Sequence, residues 1–340
     1  MARQGLRKHI VSPKSRLKTV SAYLSLATLL WVSGQSAITA QTPTAPPSGD
    51  TAVPMNPNAV TVLYVNPSSG SDQPTSGRTE AAPYRTITFA LQQASAGTII
   101  QLAPGNYTQQ SGEQFPIVLK PGVILRGNES TKGQGILIQG TGKSLTRSFG
   151  NQEVAIRAGN GSEIRGVTVT NTVTRGTGIW VEDVDCIITN STFTNSNREG
   201  VFVAGNSNPT ITDSVFTKNS GNGISIASGA RGIIRNNVFL NTGFGLAIGG
   251  NSIPRVIGNQ ITQNQDGIFI SGSARPILRE NVITENLRDG VIARDNSLPD
   301  LGLADSPGNN TIRNNGRDAK LKGVDLNNST GNVLTAIGNS

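Results

Sequence analysis

Histidine occurs once in the 340 residues, at His9, and cysteine once, at Cys186. With His9 set aside as part of the leader described below, no imidazole remains to act as a base. Zinc sites fail with it, since they need His or paired Cys. A lone cysteine makes no intramolecular disulfide, and Cys186 reads as a small buried hydrophobe rather than a reactive thiol. Aromatic residues make up 4% of the chain and charged residues 15%. No stretch shows apolar residues at i, i+3, i+4 and i+7 over a long window, which excludes a helical solenoid.

The excess of positive charge is also local. The formal net charge is +8, but six of the 29 basic residues and none of the 21 acidic ones lie in residues 1–40. Beyond that point 23 basic residues face 21 acidic ones, a balance of +2 that gives no reason to expect nucleic acid as a partner. The first 40 residues have the order of a secretory signal: a basic start, an apolar stretch from Ala22 to Val32 and small residues ending in Ile38-Thr39-Ala40. The apolar stretch is too short to span a bilayer, so the mature chain is expected to carry no membrane span. No cysteine follows it to take a lipid. Residues 41–60 contain five prolines and read as an extended linker. The protein is therefore expected to be exported, to the periplasm, the cell surface or the medium.

What the chain has in abundance is glycine, 40 residues of it, and a repeat. A Gly followed by alternating apolar residues recurs as GIWV, GVFV, GISI, GLAI, GIFI and GVIA from Gly178, Gly200, Gly223, Gly245, Gly267 and Gly290, in steps of 22 or 23. Phe193, Phe216, Phe239, Ile261, Ile283 and Ile312 form a second apolar column. Each repeat holds three short runs of period two, which are strands, separated by Asn, Asp, Gly and Pro, which are turns. Three strands and three turns per repeat define an all-β fold, a single-stranded parallel β-helix with coils of about 22 residues. Parallel crossovers are almost always right-handed, so a right-handed coil is expected. About ten coils are expected across residues 61–337. Asn237, Asn259, Asn281 and Asn310 share one phase of the repeat, and Asn219, Asn264, Asn286 and Asn315 another, as expected for amide ladders between coils. The longer spacing across 294–308 marks a loop.

Residues 61–129 contain YVNPSSGSD, PYRTITFAL, GTIIQLAPGNY and GEQFPI. They resemble the start of the family known as domain of unknown function 1565 (DUF1565), secreted proteins of the pectin-lyase-like, right-handed parallel β-helix fold. The coils from 154 to 316 are similar to its usual continuation. The resemblance implies a fold and attaches no reaction. Within it, Arg85 to Ala96 is the one segment suited to an amphipathic helix, with Ile87, Ala90, Leu91 and Ala94 on one face, and it is expected to cap the solenoid. Asp72 and Tyr84 read as structural residues of this cap.

Three groups of residues are candidates for function. Glu182, Asp183 and Asp185 form the densest acidic cluster, and Asp266 and Asp289 precede the repeat Gly on adjacent coils; these five are the candidate metal ligands. The metal they suit is Ca²⁺, which takes oxygen ligands, and no other cofactor is expected. Asp266 and Asp289 also read as two hydrated carboxylates, with Arg288 near enough to offset their repulsion. The third group is aromatic. If Ile179 and Val181 point inward, Trp180 points outward, and Phe202 and Phe269 share its column. Outward aromatics suit the stacking of sugar rings, unless a neighbouring loop covers them. The leading expectation is an exported, monomeric module that binds polysaccharide along its length without strong catalysis. A Ca²⁺-dependent lyase of uronate polymers is one alternative and a structural protein of the cell surface or matrix the other.

Overall fold

The computed structural model describes residues 60–321 and 332–334; the signal and linker expectations lie outside these residues. The described chain winds into a parallel β-solenoid, with nine strands in one sheet and ten in each of the other two. Each turn contributes one strand to each of three parallel sheets, here called I, II and III. In one coil these are Thr210–Thr212 in sheet I, Val215–Thr217 in sheet II and Asn222–Ile226 in sheet III. The coil that follows Asp289–Ala293 has no sheet I strand and makes a single bridge there, between Ile277 and Asp300. That coil contains the 294–308 loop.

The core follows from alternation. In sheet I, Ile188, Ile211, Ile234, Val256 and Leu278 stack in register and are all buried. In sheet II, Phe193, Phe216 and Phe239 stack at centroid spacings of 4.8 Å, close to the spacing of the strands that carry them. The repeat Gly is required by close approach: a Cβ on Gly223 would lie 2.5 Å from the Phe239 ring and 2.6 Å from the Gly245 carbonyl oxygen.

The turns follow one rule. At the corner between sheets I and II, Asn190, Asp213 and Asn236 take positive φ, and the next residue turns its polar side chain inward. Asn, Asp and Gly tolerate this conformation best. Asn237, Asn259, Asn281 and Asn310 are those inward residues, and each Nδ2 donates to the Oδ1 of the next at 2.9–3.1 Å. The other corner carries Thr242, Asn264, Asn286 and Asn315, joined in the same way, with Thr242 standing in for one amide.

The cap helix spans Ile87–Gln93, with Thr86 as N-cap and Ile87, Ala90 and Leu91 buried. Asp72 accepts the Arg85 and Thr86 N–H groups and the Thr86 hydroxyl, and Tyr84 is buried beneath. Glu113 accepts the Ile87 and Thr88 N–H groups at 2.7 and 3.0 Å, so a buried carboxylate closes the helix start. Burial pushes its carboxyl above the usual range, against the hydrogen bonds from Thr88 and Ile87 that pull it down.

Candidate functional site

The outer face of sheet III collects most of the residues singled out above. Its middle column is Trp180, Phe202, Ser225, Ala247, Phe269 and Ile292, in that order along the stack. Trp180 and Phe202 stack face to face, 4.3 Å apart and 1° from parallel. They point away from the core, as alternation demands, and form an apolar cluster of their own with Val154 and Ala204.

Neither of the two is open to solvent: Trp180 is 0% and Phe202 4% exposed. The cover is a hairpin of Gly142–Thr146 and Gly150–Arg157, the one antiparallel strand pair among the described residues. Its tip residue Phe149 packs edge-on against Trp180 at 5.9 Å and Phe202 at 5.0 Å. The exposed aromatic column expected from alternation is thus reduced, among the three candidates, to Phe269. That ring is partly exposed, stacks on Phe244 at 5.1 Å, and has the Arg294 guanidinium 5.8 Å above it.

Glu182 latches the hairpin. Its carboxylate accepts the N–H groups of Arg147 and Ser148 at 3.1 and 2.9 Å and the Trp180 indole N–H at 3.3 Å. Asp183 and Asp185 each accept a backbone N–H from the following coil, from Asn206 and Asn208. The three carboxylates therefore serve turns and the hairpin, and the structure does not bring them together. Among the described residues, no three His, Cys, Asp or Glu side chains converge to hold a metal ion.

Asp266 and Asp289 are not the hydrated pair that their positions suggested. Both are buried, at 1% and 4% exposure. Asp266 pairs with Arg288 and accepts the Asp289 N–H at 3.1 Å. Asp289 receives both Nε and Nη2 of Arg317, at 2.6 and 2.9 Å. That fork raises the Arg317 pKa above its ordinary value, chiefly through its hydrogen bonds to Asp289. Like charges on neighbouring rungs are tolerable because each carries its own guanidinium.

Glu199, three coils below Asp266 in the same column, was not among the candidate ligands. It is 3% exposed and binds Arg198 Nε at 2.8 Å and the Thr177 hydroxyl at 2.9 Å. Burial pushes its carboxyl up, and Arg198 with the Thr177 and Ser225 hydroxyls pulls it back only in part. Its signal was its phase, directly before the repeat Gly, which it shares with Asp266 and Asp289.

The three sheets, the small apolar core and the amide ladders define a parallel β-helix of the pectin-lyase-like class. Residues 68–340 match the family described as protein of unknown function (DUF1565), and the chain belongs to that family. Among solved structures it is similar to the pectate lyase Pel9A, at 14% identity and a TM-score of 0.56, over 82% of this chain and 78% of that one. A complex of XylC with xylose is similar at 11% identity and a TM-score of 0.55, over 77% of this chain and 68% of the other. At such identities the likeness is one of fold. No curated protein matches the chain.

Proposed function

We propose that the protein is exported and binds polysaccharide along the outer face of sheet III, without strong catalysis. The observation that carries this reading is the partly exposed Phe244–Phe269 stack with Arg294 above it. Flat rings on a long face suit the apolar faces of sugars, and the half-exposed guanidiniums of Arg288 and Arg317, paired with Asp266 and Asp289 of the same sheet, offer donors to hydroxyl and carboxylate oxygens. The fold supports the reading, since one similar structure is named a pectate lyase and another holds xylose. It does so by analogy of fold alone. No helix among the described residues is long and apolar enough to cross a membrane.

A Ca²⁺-dependent lyase draws less support, because the carboxylates proposed to hold the ion are occupied by backbone N–H groups and arginines. The deciding experiment is a pull-down of the full chain on a panel of immobilised plant and bacterial polysaccharides, with wild type beside Phe269→Ala and Phe244→Ala. Loss of one stacking ring should weaken binding about tenfold. Equal retention of all three proteins on every polymer would sink the reading. Unsaturated product forming from a uronate polymer only with Ca²⁺ would replace it with the lyase.

A further inference from the structure

A second recess lies on a different sheet. Tyr64, Gln101 and Arg126 occupy one column of the outer face of sheet I on three successive strands. Their neighbours Leu63, Ile100 and Leu125 face the core, which fixes the column outward. At the usual strand spacing the column spans about 10 Å, enough for one sugar ring. Asn66, Pro83 and Pro104 complete the walls with Glu80, enclosing a cleft of about 400 Å³. A concave site of this size, with convergent polar groups set between a tyrosine and two prolines, has the form of a small-molecule site.

The guanidinium in it is positioned. Gln101 anchors its amide nitrogen on the Leu102 and Gly127 carbonyls and turns its Oε1 to Arg126 Nε at 2.7 Å. The two terminal nitrogens of Arg126 remain available to the cleft. On the next rung Arg165 pairs with Glu129 and Glu163, whereas Arg126 has no carboxylate partner among the described residues. An arginine fork held by one nitrogen is prepared to take a carboxylate on the others. Glu80 brings the opposite sign to the rim, exposed and without an ion pair to Arg126. A simple anion gains nothing from Glu80. A ligand with one carboxylate and several hydroxyl donors satisfies both.

We propose that this cleft is a binding site for a single carboxylate-bearing sugar unit. The carboxylate binds the Arg126 fork, the ring lies against Tyr64 and the prolines, and hydroxyls donate to Glu80. The site stands apart from sheet III and does not depend on the function proposed there.

The test is calorimetric titration of the full chain with D-galacturonate, D-galactose and acetate. Galacturonate should bind, and the other two should bind at least about tenfold more weakly, each lacking one half of the recognition. Arg126→Gln should weaken galacturonate about tenfold or more. Glu80→Gln, at an exposed side chain that folding does not need, should weaken galacturonate and strengthen acetate. Phe269→Ala should leave the titration unchanged. Absence of galacturonate binding by the wild type would overturn the proposal, as would Arg126→Gln binding as tightly as wild type. If Arg126→Gln does not fold, Glu80→Gln decides, and unchanged affinities for both ligands would overturn it.

Discussion

Asn259→Ala removes one rung from the amide ladder, and the structure sets the size of the effect. The Asn259 side chain accepts the Asn237 backbone N–H at 3.0 Å and the Asn237 Nδ2 at 3.1 Å. It donates to the Ile234 carbonyl at 2.8 Å and to Asn281 Oδ1 at 3.0 Å. All of these groups are buried, so water does not replace what is lost. Two or three polar groups are left without a partner at about 1–3 kcal/mol each, which predicts a loss of about 4 kcal/mol. Urea unfolding followed by circular dichroism measures it, with Asn251→Ala as control. Asn251 is exposed and its side chain makes no hydrogen bond, so that variant should stay within about 0.5 kcal/mol of wild type. Hydrogen exchange adds a local readout, because the Asn237 amide should lose protection first. A loss below about 1 kcal/mol for Asn259→Ala would refute the reasoning, since the ladder would then be ornament on a solenoid held by its apolar core.

Two further outcomes are expected. Trp180 is the only tryptophan beyond Trp31, so in a Trp31→Phe background its emission reports the hairpin alone; it should be blue-shifted and poorly quenched by acrylamide, and Phe149→Ala should shift it to the red and raise quenching. Glu199 has its folded-state carboxyl raised above 4.5, so the folded state holds that proton more tightly than the unfolded chain. Its contribution is present below that value and lost as pH rises through the raised one, and Glu199→Gln should flatten this part of the stability profile measured by thermal melts across acid pH.

The repeat made most of the fold readable, because in a solenoid the sequence period is the strand register. Phe193, Phe216 and Phe239 are 23 residues apart in sequence and one strand apart in space. The Asn columns were readable for the same reason. The environment of the outer face was not. Alternation says on which side of a sheet Trp180 lies, but what covers that side comes from the tip of the 142–157 hairpin, whose first strand and turn lie outside the repeat and carry none of its phase. Arg317 was hidden differently. It is the register partner of Asp289, yet the 294–308 loop sets the two 28 residues apart and breaks the count by which the partner would be found. Single carboxylates in the sequence looked like free ligands because their partners are backbone N–H groups, which no residue pattern displays.

The 294–308 loop also shows how this chain tolerates a change of length. Asn259 and Asn281 lie 22 residues apart, while Asn281 and Asn310 lie 29 apart, and the two amide contacts are 3.0 and 2.9 Å. The added residues left the ladder untouched because they were diverted outward between strands. A single residue inserted within a strand would instead turn every following side chain of that strand inside out. The coil is therefore the unit of growth for this solenoid, and extra chain survives as a loop outside the coils or as another whole turn, never as a fraction of one.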